Sequence, residues 1–181
     1  MKQRASFRII LTAMFAAMVC VSTICIQIAS PVGGYVNLGD ALVLMSAFLL
    51  GPVYGTAAAG IGSALADLLT GYAYYAPGTL IIKAGIALIA SLLLKAFDRS
   101  GKMIPRTLRM VIAGIPGEIF MVAGYLLYAW VCLSYGPGAV TSIPGNCAQG
   151  IAGILIAAIL TPLVERPKEI QEMLAVFNKK K

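Results

Sequence analysis

The chain has 181 residues, of which 60% are hydrophobic and 12% charged, with a formal net charge of +7. A soluble domain carries about 25% charged residues, and a mean hydropathy of +0.89 leaves too little polar surface to cover a soluble globule. The sequence therefore reads as one integral membrane domain over residues 1–181, with no room for a soluble enzyme or ATPase domain.

The absences narrow the chemistry. There is no His, which excludes Ser–His and Cys–His catalysis and His-ligated zinc or haem. Gly60-Ile61-Gly62-Ser63 has a serine but no such base beside it. No G-x-x-x-x-G-K-[ST] loop is present, so ATP is not hydrolysed by that route. Cys20, Cys25, Cys132 and Cys147 form no C-x-x-C pair and read as small buried apolar residues. The reading is not an enzyme, with no cofactor and no metal site.

Six apolar segments follow in chain order, at about 9–29, 38–50, 52–70, 78–97, 108–131 and 145–165. A crossing needs about 20 residues, so the second segment is short for an upright span. Only Gly51-Pro52 separates it from the third, and the two could form one kinked helix. The first segment is longer than a signal-peptide core, and Pro31 follows Ser30 where cleavage would be sought, so it is kept as a span. Residues 166–181 form a weakly amphipathic cytoplasmic tail, expected on the anionic inner leaflet.

Charge chooses between five and six crossings. The basic residues cluster as Lys2, Arg4, Arg8; as Lys95, Arg99, Lys102, Arg106, Arg109; and as Arg166, Lys168, Lys179, Lys180, Lys181. Cytoplasmic loops collect Lys and Arg, and only six crossings put all three clusters on one side. The expectation is an all-α membrane protein of six transmembrane helices with both termini cytoplasmic, multi-pass in the bacterial cytoplasmic membrane. The positive charge then needs no nucleic acid to explain it.

The outer loops at 30–37, 71–77 and 133–144 lack Lys and Arg. Tyr35, Tyr72, Tyr74, Tyr75, Trp130 and Tyr135 gather there. They read either as an interfacial aromatic belt or as stacking surfaces for a flat organic ring.

Asp40, Asp67, Lys83 and Glu118 lie in or at the edges of spans, where charge is costly. Asp67 and Lys83 match in depth, either as an ion pair that only helps helices pack or as the floor of an outward-facing cavity. Glu118 follows Pro116-Gly117 and lies deeper; it is either protonated and hydrogen-bonded or holds a polar substrate group. Asp40 opens segment two, and Asn146 and Gln149 open segment six. With Asn37 and Tyr75 these make the candidate substrate-binding set, all in the outer half. The inner half is almost purely apolar, which describes a pocket with no polar path through.

Ala13 and Ala17 form an A-x-x-x-A ridge, and Gly55, Ala59, Gly62 and Ala66 repeat the small-residue spacing. Such faces let helices approach closely.

The blocks Asn37-Leu38-Gly39-Asp40-Ala41, Leu50-Gly51-Pro52-Val53-Tyr54-Gly55, Gly60-Ile61-Gly62-Ser63-Ala64-Leu65-Ala66-Asp67 and Tyr75-Ala76-Pro77-Gly78-Thr79-Leu80-Ile81-Ile82-Lys83 resemble the substrate-binding S components of energy-coupling factor (ECF) vitamin transporters. The resemblance is most specific over residues 37–83 and extends over about 9–165. It implies capture of a vitamin or precursor from outside and delivery inward as part of an ABC importer. It also implies partnership with a transmembrane coupling (T) subunit and two cytoplasmic ATPases. Ala13 and Ala17 match the family's docking motif for the T subunit, and the loop at about 30–36 matches its lid. The aromatic and amide-rich outer layer suits a small heteroaromatic, with pyridoxine or hydroxymethylpyrimidine ahead of riboflavin. The alternative is a self-sufficient small secondary transporter or channel using Asp67, Lys83 and Glu118 as a proton relay.

Overall fold

Helix α1 (Lys2–Cys25) is apolar along most of its length and ends one turn before the expected limit of residue 29. In the computed structural model, which describes residues 2–30, 33–100 and 103–178, residues 27–29 form a strand instead. β1 (Gln27–Ala29) pairs antiparallel with β2 (Tyr35–Asn37), Gln27 opposite Asn37. β-branched Ile26 and Ile28 favour extended backbone there. Positions 31–32 of the expected lid, Lys102, and Lys179–Lys181 lie outside the described residues.

The segments expected at 38–50 and 52–70 run as α2 (Gly39–Leu69), whose helical geometry breaks at Gly51 (φ 76°, ψ −171°). A straight helix would separate residues 46 and 55 by roughly 13.5 Å of rise. Instead a Cβ placed on Gly55 would fall 2.4 Å from the Ser46 carbonyl oxygen, and the Ser46 hydroxyl donates to the Gly55 carbonyl at 3.1 Å. The chain therefore reverses at Gly51, and two helical arms, 39–50 and 52–69, pack against each other. Left-handed φ at Gly51 favours glycine, and Pro52 is preorganised to open the second arm. Apart from half-buried Leu42, every residue of the first arm is buried, as expected of a helix apolar nearly all round.

The rest follows the expected order with shifted ends. α3 (Ala76–Arg99) carries Pro77 in its first turn and leads into α4 (Arg106–Leu127), which follows Pro105. α4 continues as a π-helical turn, Tyr128–Cys132, and a 3₁₀ segment, Gly136–Ser142, precedes α5 (Ile143–Val164). Among the described residues, five stretches are long and apolar enough to cross a membrane: Ala5–Cys25, Gly39–Leu69, Ala76–Arg99, Arg106–Cys132 and Gly136–Val164. The core is built largely from small and branched side chains; Ala58, Ala59, Ala87, Ala90, Ala113 and Ala157 are fully buried around Val19, Leu44, Ile86 and Met121. Apolar attraction between helices is weak in lipid, so close approach through small residues carries the packing.

The tail forms α6 (Lys168–Asn178). Its apolar residues Met173, Leu174 and Phe177 pack on the protein core, not away from it toward a leaflet. Phe177 meets Tyr54 edge-on at 5.3 Å, and the Arg8 guanidinium lies 5.7 Å from the same ring. Lys95 Nζ sits 3.3 Å from where a Gly51 Cβ would stand. Among the described residues, the basic side chains other than Lys83 thus gather at the Gly51 end of the bundle, and the β-hairpin and every tyrosine but Tyr54 lie at the other. Of the cysteines only Cys20 is buried; Cys25, Cys132 and Cys147 are exposed on the apolar exterior, which corrects the expectation for three of four.

Candidate functional site

At the hairpin end lies a cavity of about 40 Å³, walled by the hairpin, α1, the second arm of α2, α3, α4 and α5. Six of the eight expected substrate-binding residues line it: Asn37, Asp67, Tyr75, Lys83, Asn146 and Gln149. Asp40 and Glu118 do not. All eight are buried.

Lys83 takes a different partner from the one depth suggested. Its ammonium donates to Asp40 Oδ1, not to Asp67. Gln149 Nε2 donates to Asp40 Oδ2 at 2.6 Å, while Gln149 Oε1 accepts the Asn37 backbone N–H at 2.7 Å. Asn37 Oδ1 in turn accepts the Gly39 N–H at 2.8 Å, capping the first arm of α2. These bonds tie β2, α2, α3 and α5 into one polar layer beneath the cavity. Lys83 also lies 5.5 Å from the Tyr125 ring centroid. A buried pair of this kind persists because removing one partner would strand a charge.

Asp67 belongs to the lid side. Tyr35 on β2 donates to its Oδ1 at 2.5 Å. Burial first, then the Asp67 carboxyl, pushes the Tyr35 pKa above its ordinary value, so the hydroxyl stays a donor. Asp67 Oδ2 makes no hydrogen bond. Thr23 Oγ1 and Ser63 Oγ, also on the cavity wall, are buried without partners. Thr79 of α3 faces Asp67 as well and accepts from Tyr125 at 3.1 Å. Thr23, Ser63, Thr79, Tyr125 and Ser142 are wall residues that sequence reasoning missed. Ser63 and Thr79 each stand one helical turn before an expected charged residue, Asp67 and Lys83, and that spacing was a usable signal.

Glu118 lies behind the polar layer. Both its carboxyl oxygens lack partners, and its Cβ would stand 3.0 Å from one built on Gly150 of α5. It sits below the cavity, not in its wall.

The aromatic residues at this end divide into two groups. Tyr35, Tyr72, Tyr74 and Tyr75 make consecutive ring contacts at 4.8, 6.2 and 5.1 Å, and Tyr75 continues to Tyr125 and Tyr128. Tyr74 donates to the Gly33 carbonyl at 2.6 Å, clasping the hairpin. Trp130, 43% exposed, fits an interfacial belt, whereas the Tyr135 hydroxyl reaches the hairpin, 2.5 Å from where a Gly33 Cβ would stand.

This is a polar cavity, lined in part by the hairpin, at one end of an apolar bundle, with no catalytic constellation in its wall. Residues 5–166 match the family model of the ECF-type riboflavin transporter, S component. The chain belongs to that family. It is also 35% identical over 150 residues to an "Uncharacterized protein in gap 3'region" of Pyrococcus woesei, covering 82% of this chain and 95% of the relative. A second relative is a thiamine precursor transporter, HmpT, of Lactococcus lactis subsp. cremoris, 28% identical over 134 residues, covering 74% and 72% of the two chains. The family is a transporter component and not an enzyme, and with its five apolar stretches this S component is a multi-pass membrane protein.

The two small-residue ridges separate cleanly in this S component. Gly55, Ala59, Gly62 and Ala66 are buried, and a Cβ on Gly62 would lie 2.4 Å from the Ala16 carbonyl oxygen of α1. That ridge serves internal packing. Ala13 and Ala17 are exposed on the outer face of α1.

Proposed function

We propose that this S component captures a vitamin or vitamin precursor from outside the cell and delivers it inward as the substrate-binding subunit of an ECF-type ABC importer. The observation that carries this reading is the lidded polar cavity at the end of the bundle opposite the basic residues. Since cytoplasmic segments collect Lys and Arg, that cavity faces outward. The reversal at Gly51 supports a reading of six crossings from the five apolar stretches, with both termini cytoplasmic, in the bacterial cytoplasmic membrane.

Asn37, Asp40, Asp67, Tyr75, Lys83, Glu118, Asn146 and Gln149 are the proposed substrate-binding set, six in direct contact and Asp40 and Glu118 supporting them from below. About 40 Å³ is room for a few water molecules only. The hairpin must therefore lift for a ligand to enter, and a single ring demands less opening than three fused rings. That favours hydroxymethylpyrimidine or pyridoxine ahead of riboflavin, although the matched family is named for riboflavin. The relative named as a thiamine precursor transporter supports the same order.

The exposed Ala13–Ala17 ridge is the proposed seat for the T subunit, with two cytoplasmic ATPases supplying energy. Ala13→Leu with Ala17→Leu is expected to abolish uptake while leaving ligand binding near normal. Native mass spectrometry of the protein purified from cells tests the whole reading: a retained vitamin-like molecule and co-purifying T and ATPase subunits are expected. Cysteine labelling from outside, in a background lacking native cysteines, should reach Thr141→Cys and not Ser100→Cys; equal labelling would refute six crossings.

A further inference from the structure

The two charged residues in the cavity wall are not equivalent. Lys83 is already neutralised by Asp40 behind it. Asp67, 4% exposed, is held on one oxygen by Tyr35 and leaves the other, Oδ2, outside hydrogen-bond geometry, with the Thr79 hydroxyl facing the carboxyl. Ser63, one turn earlier on the same helix face, and Thr23 on the adjoining α1 present further unpartnered hydroxyls, 0% and 3% exposed. Buried polar atoms are almost always paired, so a group of orphans on one wall marks what is paired only when the site is filled.

We infer that the Thr23–Ser63–Asp67 wall is the specificity-determining edge of this site and selects a heteroaromatic ring that carries an amino group beside a ring nitrogen. This rests on the capture reading above and sharpens it.

The chemistry of the wall sets the choice. An ionised carboxylate only accepts hydrogen bonds, and Tyr35 fixes its orientation. An amino group with its neighbouring ring nitrogen presents donors to Asp67, the ring nitrogen after taking up a proton. A hydroxyl such as Ser63 or Thr23 both donates and accepts, so it adapts to the substituents on either side. The imide edge of riboflavin has one N–H flanked by two carbonyls, and those carbonyls would face the carboxylate acceptor to acceptor. Discrimination by leaving buried polar groups unpaired is far steeper than discrimination by size.

The test is equilibrium binding to the purified full-length protein in detergent, with four probes: hydroxymethylpyrimidine, its analogue with oxo in place of the amino group, pyridoxine and riboflavin. The amino probe is expected to bind at least roughly 100-fold more tightly than the oxo analogue, within the range such unpaired groups impose. Asp67→Asn, its folding checked by helical circular dichroism and thermal melting, should reduce that ratio to about threefold or less. Ser63→Ala, a smaller change made in case Asp67→Asn does not fold, should reduce it in the same direction. Equal binding of the amino and oxo probes, or a ratio that survives both substitutions, overturns the inference while leaving vitamin capture intact. Tight riboflavin binding with weak binding of the amino probe overturns it as well. No binding of any probe overturns the capture reading and this inference with it.

Discussion

The two ends of this bundle hold similar residue types in opposite surroundings. At the basic end, Arg106 pairs with Glu165 and Arg109 with Asp98, on side chains 20–41% exposed. At the hairpin end, Lys83 and Asp40 are 2% and 0% exposed. Exposed pairs are individually worth little, whereas a buried pair is costly to form and more costly to break. The basic end therefore follows the demands of topology and tolerates change. The hairpin end holds charges where none would persist without packing to enforce them, and that is where the proposed substrate site lies.

The sharpest test of this contrast is Lys83→Met. It leaves Asp40 buried and uncompensated and should cost about 3–5 kcal/mol, read as a lowered melting temperature in detergent. Asp40→Asn combined with Lys83→Met should recover most of that loss, because no charge is then stranded and the amide oxygen at position 40 still accepts from Gln149. Asp67→Asn combined with Lys83→Met should not recover it. Equal rescue by both double variants would break the pairing described here.

That pairing also shows what the sequence could reveal. Depth along a helix is legible, since each residue adds about 1.5 Å of rise, and it brought Asp40, Asp67, Lys83 and Gln149 to one layer. Rotation about the helix axis and the placing of one helix against another are not. Asp40 rather than Asp67 meets Lys83 because the first arm of α2 is buried in the bundle, which follows from the turn at Gly51. Gly51-Pro52 marked that boundary but not the tight reversal. The hairpin escaped because three-residue strands are too short to show an alternating pattern. Thr23, Ser63 and Thr79 escaped because Ser and Thr inside spans commonly satisfy themselves on their own helix; only the orphaned oxygens reveal that Thr23 and Ser63 do not.

Next in size is Tyr35→Phe. It removes the donor to Asp67 Oδ1, one of three polar links described between hairpin and bundle. A hydrogen bond to a charged group contributes about 1.5–3 kcal/mol. Faster hydrogen exchange in residues 33–37, with little change in the melting of the helices, is the expected result. Unchanged exchange there would mean that Tyr74 on Gly33 and Gln149 on Asn37 hold the lid without it.

Gly51→Ala probes the turn that creates the contrast. Its φ of 76° with ψ of −171° is a conformation adopted essentially by glycine alone and costs an alanine about 1–3 kcal/mol. The nearest neighbour of the added methyl is the flexible end of Lys95, which can move aside. A modest drop in melting temperature with ligand affinity preserved is expected, since the cavity lies at the far end. A neutral result would argue against a positive φ at this position.

The smallest effect should come from Arg106→Ala at the basic end. The guanidinium donates to Glu165 through Nε at 2.7 Å and through a second nitrogen, and it also lies 3.9 Å from Asp98. Two-point contact makes this the best-formed pair at that end, so it is the fairest rival to Lys83–Asp40. Even so, Arg106 is 36% exposed, and water takes over most of what the pair supplies. The expected loss is about 0.5–1 kcal/mol, it should shrink further at high salt, and ligand affinity should not move. The comparison turns on that salt dependence: destabilisation by Lys83→Met should be nearly insensitive to added salt, because the Lys83 and Asp40 side chains are only 2% and 0% exposed. If Arg106→Ala proved as damaging as Lys83→Met, and as indifferent to salt, the basic end would be a second buried electrostatic centre and the division of the molecule argued here would fail.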